Sequence, residues 1–99
     1  MKKLIILFVA YFSLTTAYSQ TAREYFDMGN SKANLEDYRD AIADYTKAIE
    51  IDPNDVAAYF NRGVAKIDLG QKDSGCLDLS QAGELGLGLA YKAIKEFCN

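Results

Sequence analysis

The side chains with the type and spacing to do chemistry are few. Asp37, Asp40 and Asp44 recur three and four residues apart, so a helix would set their carboxylates in one row. Such a row can in principle bind a cation or share a proton, but with no converging partner it describes a solvated face. Cys76 and Cys98 are the two thiols. They lack the C-x-x-C spacing of a redox pair, and two cysteines without histidine cannot complete a four-ligand zinc site. Histidine is absent altogether, which removes the commonest general base and the commonest metal ligand together. There is no nucleophile–base pair and no phosphate-binding glycine loop. The residues therefore point away from an enzyme, from a metal or other cofactor and from a small-molecule substrate. Acidic residues outnumber basic ones by 14 to 11, which also argues against nucleic acid as a partner.

These groups must be positioned by a short chain. Ninety-nine residues make at most one domain. The N-terminal stretch differs from the rest. Lys2 and Lys3 precede an almost wholly apolar run from Leu4 to Leu14, followed by small polar residues up to Ser19. That is the tripartite pattern of a secretory signal peptide over residues 1–19, with cleavage expected after Ser19 and a second fitting point after Ala17. The apolar run falls well short of the roughly 20 residues that span a bilayer. Contact with a membrane is expected only if this segment stays uncleaved as an anchor. The pattern implies an exported protein, periplasmic or extracellular, and the brief basic region suggests a bacterial one. The working domain is then residues 20–99.

Within it, apolar residues recur at helical spacing, and no run alternates as a strand would. Helices are expected over residues 22–34, 37–50, 56–69, 72–84 and 89–97. Thr21 and Glu24 can form a capping box at the first. Pro53 blocks continuation of the second, Asn54 or Asp55 can cap the third, and Gly70 suits its C-terminal stop. The fold class is all-α.

Sliding the chain on itself by about 34 residues brings Tyr25 onto Tyr59, Phe26 onto Phe60, Gly29 onto Gly63, Lys32 onto Lys66 and Ala48 onto Ala82. Glycine inside a helix costs about 1 kcal/mol relative to alanine, so Gly29 and Gly63 mark places where a neighbouring helix must come close. On these residues the chain resembles the tetratricopeptide repeat (TPR) family. Tyr25, Met28, Gly29, Ala41, Tyr45, Ala48 and Pro53 fill the family's signature positions in the first unit, which ends in KAIEIDPND. The second unit departs from the pattern, with Arg62 in place of Leu, Gly75 in place of the first Ala and Leu87 in place of the terminal Pro. The resemblance implies an α/α repeat solenoid. Repeat 1 covers about 22–55, repeat 2 about 56–89, and a capping helix about 89–98.

The same resemblance places a concave groove on the first helix of each unit. Its expected lining is Arg23, Phe26, Asn30, Ala33 and Asn34, then Ala57, Phe60, Asn61, Val64, Ile67 and Asp68, with Tyr91 and Lys95 extending the row on the last helix. Some TPR domains clamp a peptide's C-terminal carboxylate with two asparagines and three basic residues. Asn30, Asn61 and Lys95 stand at matching places, but Phe26 and Tyr91 replace two of the bases. The set favours an apolar or extended peptide, or a partner helix.

If the last two helices form an antiparallel hairpin turning near Gly86, Cys76 and Cys98 lie about ten and twelve residues from the turn. They are then offset by only about 3 Å along the axis. A disulfide there would close a loop of about 23 residues and stabilise the fold by roughly 3 kcal/mol. It would be favoured by the oxidising setting that export implies. The alternative is two free thiols, with Cys76 a small core residue. The expected function is a protein–protein interaction module, a TPR adaptor or scaffold, holding a protein or peptide in its groove outside the cytoplasm. The alternative is a structural or self-assembling subunit that forms a homo-oligomer through a solenoid end, since two and a half repeats fall short of the three or so that bury a continuous core.

Overall fold

A computed structural model describes residues 21–99, and the segment read as a signal peptide lies outside the described residues. The described chain is all-helical. Helix α1 runs through residues 21–34, so the capping box read at Thr21 is not its start: Thr21 is already helical. Helix α2 is Tyr38–Ile51, α3 is Val56–Leu69, α4 is Lys72–Glu84 and α5 is Gly88–Phe97. Consecutive helices pack in order, α2 on α3, α3 on α4 and α4 on α5, as a TPR-like stack of helix pairs.

The ends of three helices are closed in the same way. After α1, Asp37 N–H donates to the Lys32 carbonyl and Glu36 N–H to that of Ala33. After α3, Gln71 N–H reaches Lys66 and Gly70 N–H reaches Ile67; after α4, Leu87 N–H reaches Ala82 and Gly86 N–H reaches Gly83. Each is a Schellman stop, which needs one left-handed residue. Gly70 and Gly86 supply it freely, at φ 96° and 112°. Glu36 stands at the position equivalent to Gly70 and adopts φ 61°, at a cost of about 1 kcal/mol that a glycine avoids. Asp55 Oδ1 accepts the Ala58 N–H at 3.1 Å and so caps α3.

The core is made largely of small residues. Ala41, Ala48, Ala58, Ala82 and Ala90 are fully buried, and Tyr45 and Leu79 are the two largest side chains so enclosed. Tyr45 lies over Gly29, where an added Cβ would come within 2.6 Å of its ring. Its ring also packs 5.9 Å from that of Phe26. Leu79 occupies the equivalent place in the second unit, against Gly63.

The second unit is drawn tighter than the first. A Cβ on Gly63 would meet the Gly75 carbonyl oxygen at 2.8 Å, and one on Gly75 would meet that of Gly63 at 2.6 Å. Here α3 and α4 touch backbone to backbone, which explains why glycine replaces the family's alanine at residue 75. Backbone cannot move aside as a side chain end can. Gly75→Ala is therefore expected to destabilise by about 1–3 kcal/mol despite alanine's higher helix propensity. Gly88→Ala, which meets nothing within 4 Å, is expected to be neutral or mildly stabilising. Urea denaturation of the two variants checks the pair.

Cys76 and Cys98 are joined by a disulfide, with their Cα atoms 6.0 Å apart. The bond ties the residue after α5 to the second turn of α4.

Candidate functional site

Asn30 sits near the C-terminal end of α1, and Asn61 sits in the middle of α3. Tyr45 of α2 packs onto Gly29 of α1, and α2 packs on α3; across this junction the two amides meet. Asn61 Nδ2 donates to Asn30 Oδ1 at 2.9 Å. The Tyr45 hydroxyl donates to the same oxygen at 2.6 Å. Burial pushes the Tyr45 hydroxyl above its ordinary pKa, so it stays a neutral donor at physiological pH. This shared oxygen links the two repeat units through polar contacts on the wall of a cleft.

The cleft has a volume of about 480 Å³, within the ordinary range for ligand sites. Asn30, Asn34 and Asn61 line it with amides, and Tyr38 and Tyr45 with phenol groups. Ala33, Phe60, Val64 and Ala65 supply its apolar floor, and Asp68 its one charged residue. Partial burial, then the negative charges of Asp68 and Glu36, push the Tyr38 hydroxyl upward in pKa. The rim at this end of the cleft is thus electronegative.

Seven of the residues expected in the groove meet here: Asn30, Ala33, Asn34, Phe60, Asn61, Val64 and Asp68. Others stand elsewhere. Phe26 packs on the core formed by Ala41, Tyr45 and Ala65. Ile67 faces α4, its Cγ1 2.7 Å from where a Cβ on Gly75 would lie. The Tyr91 ring lies against Gly83 of α4, with more than half of the residue exposed. Lys95 is exposed on α5. Without Lys95 beside them, Asn30 and Asn61 have no basic residue in the cleft lining to complete a carboxylate clamp. Sequence reading missed Tyr38, Tyr45 and Ala65 in the lining. The two tyrosines stand on α2, outside the row of first-helix positions that marks a groove residue.

The carboxylate row also divides. Asp37 and Asp40 are exposed as expected, but Asp44 is buried. Its Oδ2 accepts from Lys32 Nζ at 3.2 Å. The second unit repeats this pair as Lys66 and Asp78, 2.9 Å apart, and adds Arg62. Arg62 Nε and Nη2 each donate to Asp78 at 2.8 Å, while Nη1 donates to Thr46 of α2 at 3.2 Å. The guanidinium also lies 5.7 Å from the Tyr59 ring centroid. Hydrogen bonding to Asp78 holds Arg62 still more firmly in its charged form. The residue that breaks the family pattern at position 62 thus ties three helices together. Among the described residues, no group of three or more His, Cys, Asp and Glu could hold a metal ion.

Helix pairs stacked in register, with an amide-lined cleft between first helices, define a helical-repeat interaction fold. Residues 29–70 match the family model described as TPR repeat. The stretch so matched belongs to the tetratricopeptide repeat family. The chain is similar to small glutamine-rich tetratricopeptide repeat-containing protein 2 of Mycosarcoma maydis, at 38% identity over 67% of this chain and 19% of that protein. It is also similar to the Hsp70-Hsp90 organizing protein of Triticum aestivum, at 35% identity over 61% of this chain and 10% of that protein. Similarity to small glutamine-rich tetratricopeptide repeat-containing protein beta of Homo sapiens reaches 46% identity over 44% of this chain and 14% of that protein. The matched stretch spans a fifth or less of the length of each of these relatives.

These relatives correct the expectation of a bacterial exported protein. They are eukaryotic TPR proteins of the small glutamine-rich and Hsp70-Hsp90 organizing kinds, and they point to a cytoplasmic rather than an exported location. The N-terminal pattern misled because a basic pair followed by a short apolar run is a compositional signal with no partner residues to test it against.

Proposed function

We propose that this chain is a protein–protein interaction module that holds a peptide or partner segment in the cleft between α1 and α3. The observation that carries the reading is the bond between Asn30 and Asn61 on the wall of that cleft. Two successive repeats there place polar groups over an apolar floor. Amides supply both donors and acceptors, and Phe60 and Val64 supply apolar surface. The similarity to an Hsp70-Hsp90 organizing protein supports an adaptor role rather than catalysis.

A photo-reactive residue placed at Val64 should crosslink to a partner in the source cells, and one placed at exposed Lys47, outside the cleft, should not. Asn61→Ala and Phe60→Ala should each weaken capture by on the order of tenfold, as truncation of a central interface residue does. Equal crosslinking from both positions would reject the cleft as the binding face.

A second reading, self-assembly through the end of the stack, is favoured by the exposure of Leu77, Leu89, Tyr91 and Phe97 on α4 and α5. Concentration-dependent mass in sedimentation, lost in Leu89→Lys, would support it.

A further inference from the structure

The cleft's lining says what kind of segment it suits, provided that the cleft is the binding face. A helix satisfies its own backbone hydrogen bonds, whereas an extended chain arrives with N–H and C=O groups that need partners. The cleft offers such partners. Asn30 Oδ1 is already used by Asn61 and Tyr45. Among the described residues, Asn30 Nδ2 and Asn61 Oδ1 make no hydrogen bond, so each wall keeps a donor or acceptor for an incoming backbone. Asn34, exposed at the cleft, adds another amide.

Charge sets the second constraint. No lysine or arginine lines the cleft, and Asp68 is its one ionised residue. The three ion pairs of the described residues use Lys32, Arg62 and Lys66 with Asp44 and Asp78, and none uses Asp68. An acidic segment or a free C-terminal carboxylate would meet a like charge without a counterion. A cationic side chain would meet an open carboxylate.

We propose that the cleft takes an extended, internal peptide segment carrying a lysine or arginine, which pairs with Asp68 while Asn30, Asn34 and Asn61 hold the segment's backbone. The cation projects to the Asp68 rim, and its apolar neighbours settle on Phe60 and Val64.

The test uses two pools of heptapeptides, acetylated and amidated at their ends and random except for a central Lys or a central Glu. Binding to the full chain is read from amide chemical shifts of Asn30, Asn61 and Val64. The Lys pool should bind about three- to fivefold more tightly, the range of one exposed charge pair, and the gap should narrow with salt. Asp68→Asn should erase the preference and Asp68→Lys should reverse it. Asp68 is exposed, so both variants should fold, with melting curves matching the parent. Equal binding of the two pools, or tighter binding of the Glu pool, with Asn30, Asn61 and Val64 shifting in both cases, would overturn this proposal and leave the cleft as a binding face. A preference that survives in Asp68→Asn would overturn it as well. Binding that leaves the cleft residues unshifted, or no binding of either pool, would reject the cleft reading along with it.

Discussion

Asp78→Ala should unfold this protein or come close to it. The Asp78 side chain is only 8% exposed and faces two cations, Arg62 at 2.8 Å and Lys66 at 2.9 Å. Both cations are themselves largely buried. Removing the carboxylate leaves two positive charges in a poorly hydrated site with no counterion. Breaking a buried pair in this way costs about 3–5 kcal/mol. A chain of this size has roughly 4–12 kcal/mol in total, so the variant should lose most of its cooperative transition in urea. The first repeat contains its own control. Asp44 pairs with Lys32, whose side chain is 35% exposed and can turn to water. Asp44→Ala should therefore cost about 1–2 kcal/mol. If the two variants lose equal stability, the Arg62–Asp78–Lys66 node is not the anchor described. Arg62→Leu restores the family's residue but leaves Asp78 with Lys66 alone. It should fall between the two.

Reducing the Cys76–Cys98 bond should give the second large effect. The bond spans 22 positions of sequence, and the chain-entropy model assigns a loop of that size about 3 kcal/mol. The gain comes mostly from restricting the unfolded chain, so its loss should not depend on new contacts in the folded state. Native-gel or denaturant curves with and without reductant, and Cys98→Ser under both conditions, measure it. Reductant should lower the midpoint of the parent and leave Cys98→Ser unchanged. The lost stability should fall on α5 first, since that helix ends the stack and packs on α4. Faster amide exchange in α5 than in α3 after reduction is the local signature. Identical midpoints for parent and Cys98→Ser without reductant would show the bond to be unformed or without effect. A cytoplasmic setting keeps most thiols reduced, so the oxidation state in native material, read by mass spectrometry without reductant, decides which form operates.

Much of the architecture was legible beforehand. The observed bounds of α3 and α4 agree with the expected 56–69 and 72–84, while α2 is shifted by one position at each end and α5 starts one position earlier. The reason is that capping residues, Pro53, Gly70 and apolar spacing act within a few residues of each other. The groove was only half legible. Asn30, Phe60, Asn61 and Val64 meet in the cleft, but Ile67 turns to α4, where Gly75 opens room for it. Tyr91 is drawn to Gly83 in the same manner. A helix-face assignment ranks residues by angle around one axis, whereas a glycine on the next helix decides which of them is pulled inward.

The sequence by itself determined that this protein is a run of short amphipathic helices repeating at a fixed interval. Periodicity and capping are local properties, and small residues at repeated positions imply close packing wherever the partner lies. Only the tertiary structure decided how the polar residues are spent. Asp44 and Asp37 share one row in the sequence, yet one is an enclosed ion-pair partner and the other is solvated. Arg62 reads as a defect in a repeat and proves to be a three-helix tie. Asp68 reads as one groove residue among many and proves to be the one charge in the cleft lining. A side chain's energy depends on which other helix faces it and how much water remains between them. That is set by the crossing of helices distant in sequence, which no single-helix pattern encodes.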